Sequence, residues 1–398
     1  MKRTYFYALA LLLLPTLSEA ASSPLTVNDN GQLMKDGKPF RAIGVNYFSV
    51  ISEAIARPYA SNFVDGFKSL QANNVPFVRV MFGSYWPSEM KQYFSNKSRY
   101  FNSIDKVVAA AKKYNVGIIA TLSWNPALFP DLSREPISSL VIPDSNSHIL
   151  MRQYIRDVVS RYKDSGVIWA WEFSNEMNLN ADLPNAHEFR PPVSVKQGTP
   201  SFRSELDDYS HDHLTALYEA FKDEVTSQIP DAILSTGNSL PRPYSWNNYY
   251  YGAWDSDNII QFCEMLSKDN PVGYKLMSIH AYPKTSNSPL VGFPGYFSKK
   301  DISIDEMLNE VTKCSKKTGQ SVFLGEFGVP KMNHVETEMA VFNKTLDSIV
   351  ASDVALSALW VYRFKYQDTT FNASNENYRK YQINAIGEAN SKLKELAK

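Results

Sequence analysis

The sequence predicts a single α/β domain folded as a (β/α)8 TIM barrel, with a β-hairpin at its N-terminal end. Three observations carry this. From residue 41 onward, eight short apolar runs alternate with segments of helical period. Two of these runs close on a glutamate: residues 167–179 (VIWAWEFSNEMNL) reach Glu176, and residues 321–330 (SVFLGEFGVP) reach Glu326. The glutamates are about 150 residues apart, or three strand–helix units of about 40 to 50 residues each. That spacing makes the runs strands four and seven of a barrel whose strand C-termini all open on one face. Finally, 398 residues at 44% hydrophobic composition suffice for one large core. No linker divides the chain, so residues 21–398 are expected to be one domain.

Taken in order, residues 25–40 read as the hairpin, with one turn at Asp29-Asn30-Gly31 and a second at Asp36-Gly37. Residues 41–47 form the first barrel strand. Phe63, Phe67 and Leu70 give residues 61–72 helical spacing. Strand two is 75–81 (VPFVRVM), with Arg79 inside the apolar run. A buried arginine is costly unless paired. The expected partner is Glu172, which a two-residue period places on the same face as Glu176. Ile104, Val107, Val108 and Ala111 mark the next helix, and residues 117–124 (GIIATLSW) are strand three. A proline-containing loop then leads to a helix with Tyr154, Val158 and Tyr162, and on to strand four.

Residues 177–208 carry Pro184, Pro191, Pro192 and Pro200 and are expected to be irregular; loops of that length are usually functional or mobile. Leu214, Leu217, Phe221 and Val225 mark helix four. Residues 232–236 are a weak strand five, followed by the aromatics Tyr244, Trp246, Tyr249, Tyr250, Tyr251 and Trp254. Strand six, 275–282, puts His280 and Tyr282 on one face. Ile304, Met307, Leu308 and Val311 give helix six, and Met339, Phe342, Leu346 and Ile349 give helix seven. Residues 355–364 (ALSALWVYRF) are strand eight with Trp360 inside it, and residues 383–396 close the chain.

A carboxylate at the C-terminal end of a buried strand is poorly placed for stability and well placed for acid–base work. For either glutamate alone, a helix cap or a satisfied core carboxylate explains it as well. Two on one face are the minimum kit for breaking a glycosidic bond. One is neutral and protonates the leaving oxygen, and the other is ionised and attacks carbon or activates water. Asn175 is a candidate donor to a sugar. Arg79, His280 and Tyr282 are candidates to orient the carboxylates, and Trp124 and Trp360 to stack on sugar rings. Each of these also fits a core role. Gly325 and Gly328, on either side of Glu326, allow a sharp turn or a close approach to a ligand. His211 and His213, beside Asp207, Asp208 and Asp212, have metal-ligand chemistry but read as an acid-rich helix start. No phosphate-binding loop, dinucleotide fingerprint or zinc spacing is present, so no cofactor or metal is expected.

Lys+Arg and Asp+Glu both number 41, and a net charge of zero gives no electrostatic footing for nucleic acid or an anionic membrane. Residues 1–20 read as a signal peptide: Lys2 and Arg3, an apolar stretch over residues 8–14, and Ser18-Glu19-Ala20 before a cut near Ala20 or Ala21. A secreted or periplasmic monomer is expected. Cys263 and Cys314 are open to two readings, a disulfide or two buried thiols.

In order, VRV at 78–80, WEFSNE at 171–176, HAY at 280–282, GEFG at 325–328 and the strand-eight Trp360 resemble glycoside hydrolase family 5, the cellulase and mannanase group of clan A. The resemblance runs from Gly44-Val45-Asn46 to Trp360. It implies a retaining hydrolase of β-1,4-linked glycans, of mannan or glucan type, with Glu176 as acid/base and Glu326 as nucleophile. It implies further that Asn175 holds the sugar 2-hydroxyl, that Trp360 floors the cleaved subsite, and that Arg79, His280 and Tyr282 surround the nucleophile. Two departures stand out. Ser123-Trp124-Asn125 lies where the family often has a histidine, and Met177 lies where it often has proline. The continuation Met177-Asn178-Leu179 looks more like mannanase-type relatives. Competing readings are a carbohydrate-binding barrel without turnover, an exo-acting β-glycosidase of the same clan, and a metal-dependent barrel isomerase or hydrolase.

Overall fold

The computed structural model describes residues 24–285 and 291–396. The expected signal peptide, residues 1–20, lies outside them. Eight parallel strands form the central sheet: β1 (Ala42–Asn46), β2 (Phe77–Met81), β3 (Gly117–Ser123), β4 (Ile168–Ser174), β5 (Leu234–Ser235), β6 (Leu276–Ala281), β7 (Ser321–Phe327) and β8 (Leu356–Leu359). Eight principal helices follow them in turn: α1 (Asn62–Ala72), α2 (Lys97–Lys113), α3 (Asn146–Tyr162), α4 (His211–Thr226), α5 (Ile259–Asp269), α6 (Ile304–Thr318), α7 (Val335–Ala351) and α8 (Lys380–Leu396). This is the (β/α)8 barrel the alternation predicts. The N-terminal hairpin is present as a small antiparallel sheet of Leu25–Val27, Leu33–Lys35 and Lys38–Pro39.

Hydrogen bonding runs β5-β4-β3-β2-β1-β8-β7-β6, so the ladder is open between β5 and β6. Side chains and one main-chain bond bridge that seam. Asn270 Oδ1 accepts from the Ser278 amide (2.8 Å) and the Thr236 hydroxyl (3.0 Å). Ser278 Oγ donates to the Asn238 carbonyl (3.0 Å), and the Leu240 amide to the His280 carbonyl (3.4 Å). Strand five reads weakly in sequence because only Leu234–Ser235 forms the ladder, and its continuation, Thr236-Gly237-Asn238, is polar; the Thr236 and Gly237 carbonyls still accept from the Ser174 and Glu176 amides on the β4 side.

The interior is layered, as small barrels require. The lower layer is apolar: Ala42, Phe77, Ile119, Trp169, Ile233, Leu276, Phe323 and Leu356, closed from below by Leu25 and Leu33 of the N-terminal sheet. Two residues further along several strands, the inward positions turn polar and remain fully buried: Arg79, Thr121, Glu172 and Ser235, joined by Asn46. The outer faces of the strands pack with the helices into a second apolar core. Cys263 on α5 and Cys314 on α6 form a disulfide, Cα–Cα 5.6 Å.

Strand eight is shorter than its apolar run. It ends at Leu359, so Trp360 lies one residue beyond it, followed by a cis peptide bond to Val361. The backbone there keeps contact with the neighbouring strands, Trp360 N donating to the Phe327 carbonyl of β7 and Tyr362 N to the Asn46 carbonyl of β1, while Val361 turns its carbonyl to the Ala373 amide outside the sheet. Four aromatics of the stretch after β5, Trp246, Tyr249, Tyr250 and Tyr251, lie on a helix of about two turns, Ser245–Tyr251. His211 and His213 stand at the start of α4, where the Ser210 hydroxyl accepts from the His213 amide and the Ser210 amide donates to His213 Nδ1.

Candidate active site

The polar layer converges on one guanidinium. Arg79 is completely buried. Its Nε donates to Glu172 Oε1 (2.6 Å), Nη1 to Glu326 Oε1 (2.8 Å) and Asn46 Oδ1 (3.1 Å), and Nη2 to Asn175 Oδ1 (2.9 Å). Its face lies over Trp124, 4.5 Å from the ring centroid, a cation–π contact. The expected Arg79–Glu172 pair is therefore formed, and it leaves donors for Glu326. Glu172 is completed by the hydroxyls of Thr121 (2.7 Å) and Ser235 (2.8 Å), so no lone-pair side of the buried carboxylate is abandoned.

Glu326 sits in β7 beside a break in register. Leu324 pairs with Ile279 and Glu326 with His280, so Gly325 is the extra residue. Such a bulge re-aims the next side chain. A Cβ at Gly325 would stand 2.7 Å from His280 Nε2; the glycine makes room for the histidine ring and not for a ligand. Glu326 is 4% exposed. Besides Arg79, it accepts from the Tyr282 hydroxyl at Oε2 (2.6 Å). Burial raises its carboxyl pKa above the usual range; His280, Arg79 and Tyr282 oppose that rise and the charge of Glu176 adds to it.

Glu176 follows β4 with φ 52°, in the left-handed region, and opens a short 3-10 turn, Met177–Leu179. Its amide donates to the Gly237 carbonyl (2.9 Å). Gly237 itself has φ +78°, and a Cβ there would overlap the Ser174 carbonyl oxygen. The Glu176 side chain keeps 29% of its surface. His280 Nδ1 is 3.0 Å from Glu176 Oε1 and 3.7 Å from Glu326 Oε1. Burial depresses the His280 pKa to about 4, so the ring is neutral near pH 7. Burial also raises the Glu176 pKa, against the charge of Arg79 and a hydrogen bond from Ser239. One oxygen of Glu176, one nitrogen of His280 and one oxygen of Glu326 all lie within 4.8 Å of one another.

Two raised carboxyls this close titrate as a pair. Arg79 donates directly to Glu326 and reaches Glu176 only through space. On that geometry negative charge is favoured on Glu326 over Glu176.

The residues singled out in sequence thus gather at the barrel mouth. Trp124, Asn175, Glu176, Tyr282, Glu326 and Trp360 line one open cleft of about 720 Å³; Arg79 and His280 lie just beneath. Arginine only donates, so Asn175 presents its carbonyl oxygen to Arg79 and keeps its amide nitrogen as a cleft donor. Trp124 is 6% exposed and mainly supports Arg79. The Trp360 ring is fixed by Nε1 donating to Gln367 Oε1 (2.9 Å). Sequence reading missed Asn46, Thr121 and Ser235 under the site, and Phe371, whose ring lies 5.7 Å from Tyr282 at the cleft wall. A polar residue ending an apolar strand run signals Asn46 and Ser235, and a polar residue at an inward position of such a run signals Thr121. Phe371 carries no such signal.

A barrel whose fourth and seventh strands deliver facing carboxyls, one charge-paired and one fit to hold a proton, has the make-up of enzymes that cleave glycosidic bonds. The family comparison agrees: residues 33–363 match the cellulase family, glycosyl hydrolase family 5. The chain belongs to that family. Among solved structures it is similar to an endo-1,4-β-mannanase from Rhizomucor miehei (15% identity, TM-score 0.63, 94% of this chain and 100% of that one). It is also similar to an endo-β-1,4-mannanase from Thermotoga petrophila (15%, 0.59, 90% and 78%) and to an exo-β-1,4-mannosidase from Opitutaceae bacterium strain TAV5 (14%, 0.61, 92% and 63%). At such identities the likeness is one of fold. Comparison with curated proteins finds no match.

Proposed function

We propose that the protein is an exported, retaining hydrolase of β-1,4-linked glycans, of mannan type ahead of glucan type. The single observation carrying the mechanism is the approach of Glu176 and Glu326 to within 4.8 Å. Retaining enzymes hold their carboxyls about 5 to 5.5 Å apart, and inverting ones about 6.5 to 9.5 Å, to admit a water. In the first step a Glu326 oxygen attacks the anomeric carbon, the glycosidic C–O bond breaks, and the leaving oxygen takes the Glu176 proton. In the second, the Glu176 carboxylate takes a proton from water as the water oxygen attacks the same carbon and frees Glu326. Asn175 offers its amide to the sugar, and Trp360 its ring face.

The mannan preference rests on the two mannanase neighbours and the Opitutaceae mannosidase, together with the Met177-Asn178-Leu179 continuation. Export rests on the N-terminal pattern, and the Cys263–Cys314 bond suits an oxidising compartment. The deciding experiment is hydrolysis of a panel of β-1,4-mannan, glucomannan and β-glucans, with product sizes and the anomer formed read directly. Retained configuration and mannan cleavage are expected. Inversion overturns the mechanism, glucan-only cleavage overturns the substrate, and binding without turnover favours a non-catalytic barrel. N-terminal sequencing of the mature chain tests the cut near Ala20 or Ala21.

A further inference from the structure

The turn that carries Glu176 is held by a cation that the chemistry above does not use. Arg242, in the loop after β5, is 9% exposed. Its Nη1 donates to the carbonyls of Asn178 (2.8 Å) and Leu179 (2.6 Å), and its Nη2 to the Ala181 carbonyl (2.8 Å) and Asn248 Oδ1 (3.1 Å). Among the described residues no carboxylate lies within ion-pair distance of it. The C-terminal end of any helical turn leaves its carbonyls without partners, and a guanidinium fork can take several at once.

The same turn is gripped from its other side. Asn178, 2% exposed, donates from Nδ2 to Asp269 Oδ2 (2.7 Å) and the Ser239 carbonyl (2.9 Å), and accepts the Ser239 amide at Oδ1 (3.1 Å). Asp269 is fully buried, and its other oxygen lies 3.3 Å from His211 Nε2. Glu176 begins this turn with a left-handed backbone, a conformation that is unfavourable for a side-chain-bearing residue and persists only where the surroundings enforce it.

We propose that Arg242 is a positioning residue for the proton donor: through the Asn178, Leu179 and Ala181 carbonyls it fixes the strained turn that aims the Glu176 carboxyl into the cleft. This rests on the assignment of Glu176 as acid/base. The consequence is specific. If Arg242 acts through the acid, its loss harms bond cleavage in proportion to how much protonation the leaving group needs. A residue that only stabilised the fold would lower all rates together.

The test measures glycosyl-enzyme formation, as the burst of released aglycone, in Arg242→Lys and Arg242→Gln. Each variant meets two aryl β-glycosides, one with an acidic leaving phenol and one with a poorly acidic phenol; Glu176→Gln is run in parallel. Active-site titration normalises every rate to folded enzyme. The expected result is a loss of about 10- to 100-fold on the poor leaving group and less than about threefold on the good one, below the full acid-catalysis range of about 10² to 10⁴. Lysine should restore part of the loss that glutamine shows. Equal losses on both substrates, with Glu176→Gln still sensitive to the leaving group, overturn the positioning role alone. Insensitivity in Glu176→Gln overturns the acid assignment and the proposal with it.

Discussion

Strands β4 and β7 each deliver a glutamate to the mouth of the barrel, and they do so by opposite means. Glu326 lies within its strand, beside a bulge, 4% exposed, and its side chain is gripped at both oxygens by Arg79 and Tyr282. Glu176 lies past the end of its strand, its side chain 29% exposed and approached by His280, while its backbone is what the fold secures. A group that stays charged and attacks at one point benefits from fixed donors on its oxygens. A group that releases and regains a proton is served by neutral partners, here His280 and the Ser239 hydroxyl, in place of a fixed cation, and is positioned chiefly through its main chain. The contrast therefore separates the two proposed roles on grounds independent of the family resemblance.

The largest expected effect follows from removing the gripped member. Glu326→Ala should reduce turnover to background on every substrate, whatever its leaving group, because no carboxylate remains to form the covalent intermediate. Exogenous azide or formate, small enough to occupy the vacated space, should restore cleavage of an activated glycoside. Turnover of more than a few per cent without such an anion would erase the proposed difference between the two glutamates.

Next in size, Glu176→Ala should slow glycosyl-enzyme formation by about 10² to 10⁴ on glycans. Substrates with acidic leaving groups should keep most of their burst, because they need little proton donation. Equal loss on both would make Glu176 a second charge-holder rather than a proton carrier.

A smaller effect, but one on both fold and chemistry, is expected at Arg79. Breaking a buried pair costs roughly 3 to 5 kcal/mol because the remaining charge is left uncompensated, and Arg79→Met strands Glu172 and Glu326 together. The positive charge lowers the Glu326 pKa, so its loss should raise it and move the acidic limb of the kcat/KM profile to higher pH. Denaturant unfolding and a pH–rate profile check the two halves. Lost stability with an unmoved acidic limb would leave Arg79 purely structural.

How much of this the sequence discloses follows from what one-dimensional patterns carry. Alternation and strand-end polarity are periodic signals, so the barrel, the order of its strands, and Arg79, Glu172, Glu176, His280 and Glu326 are legible. Trp360 reads as a residue inside a strand because its apolar neighbours, Val361 and Tyr362, look like strand residues; Val361 instead turns its carbonyl away from the ladder to the Ala373 amide. The bulge at Gly325 is hidden because nothing in GEFG distinguishes a glycine that clears a histidine ring from one that makes a turn. Arg242 is invisible for a related reason. Its partners are main-chain carbonyls about 60 residues away, and carbonyls have no residue identity to read.

The smallest effect expected separates the two glutamates by stability alone. Burial raises the Glu176 pKa, so the folded chain binds that proton more tightly than the unfolded chain does. The resulting stabilisation is full below the unfolded carboxyl range, near about 4.3, and is lost as pH rises through the raised folded value. Above that raised value the wild type carries an ionised carboxylate where a neutral amide would sit more easily, and the carboxamide of the Glu176→Gln variant can still meet His280 Nδ1. Glu176→Gln should therefore melt about 1 to 2 °C above wild type at pH 8, with the gain fading as pH falls through that value. Glu326→Gln should show no such gain although burial raises that pKa too. Both Glu326 oxygens accept in the wild type, from Arg79 and the Tyr282 hydroxyl; an amide NH2 facing Arg79 sets donor against donor, and one turned to Tyr282 gives up the hydroxyl's hydrogen bond to a carboxylate, while Arg79 loses the charge it pairs with in either case. Its melting temperature should fall at pH 8. Parallel melting curves for the two variants between pH 4 and pH 8 decide it. Shifts of the same sign at pH 8 would mean that the two carboxyls share one environment, and the division of labour drawn from their different anchoring would fail.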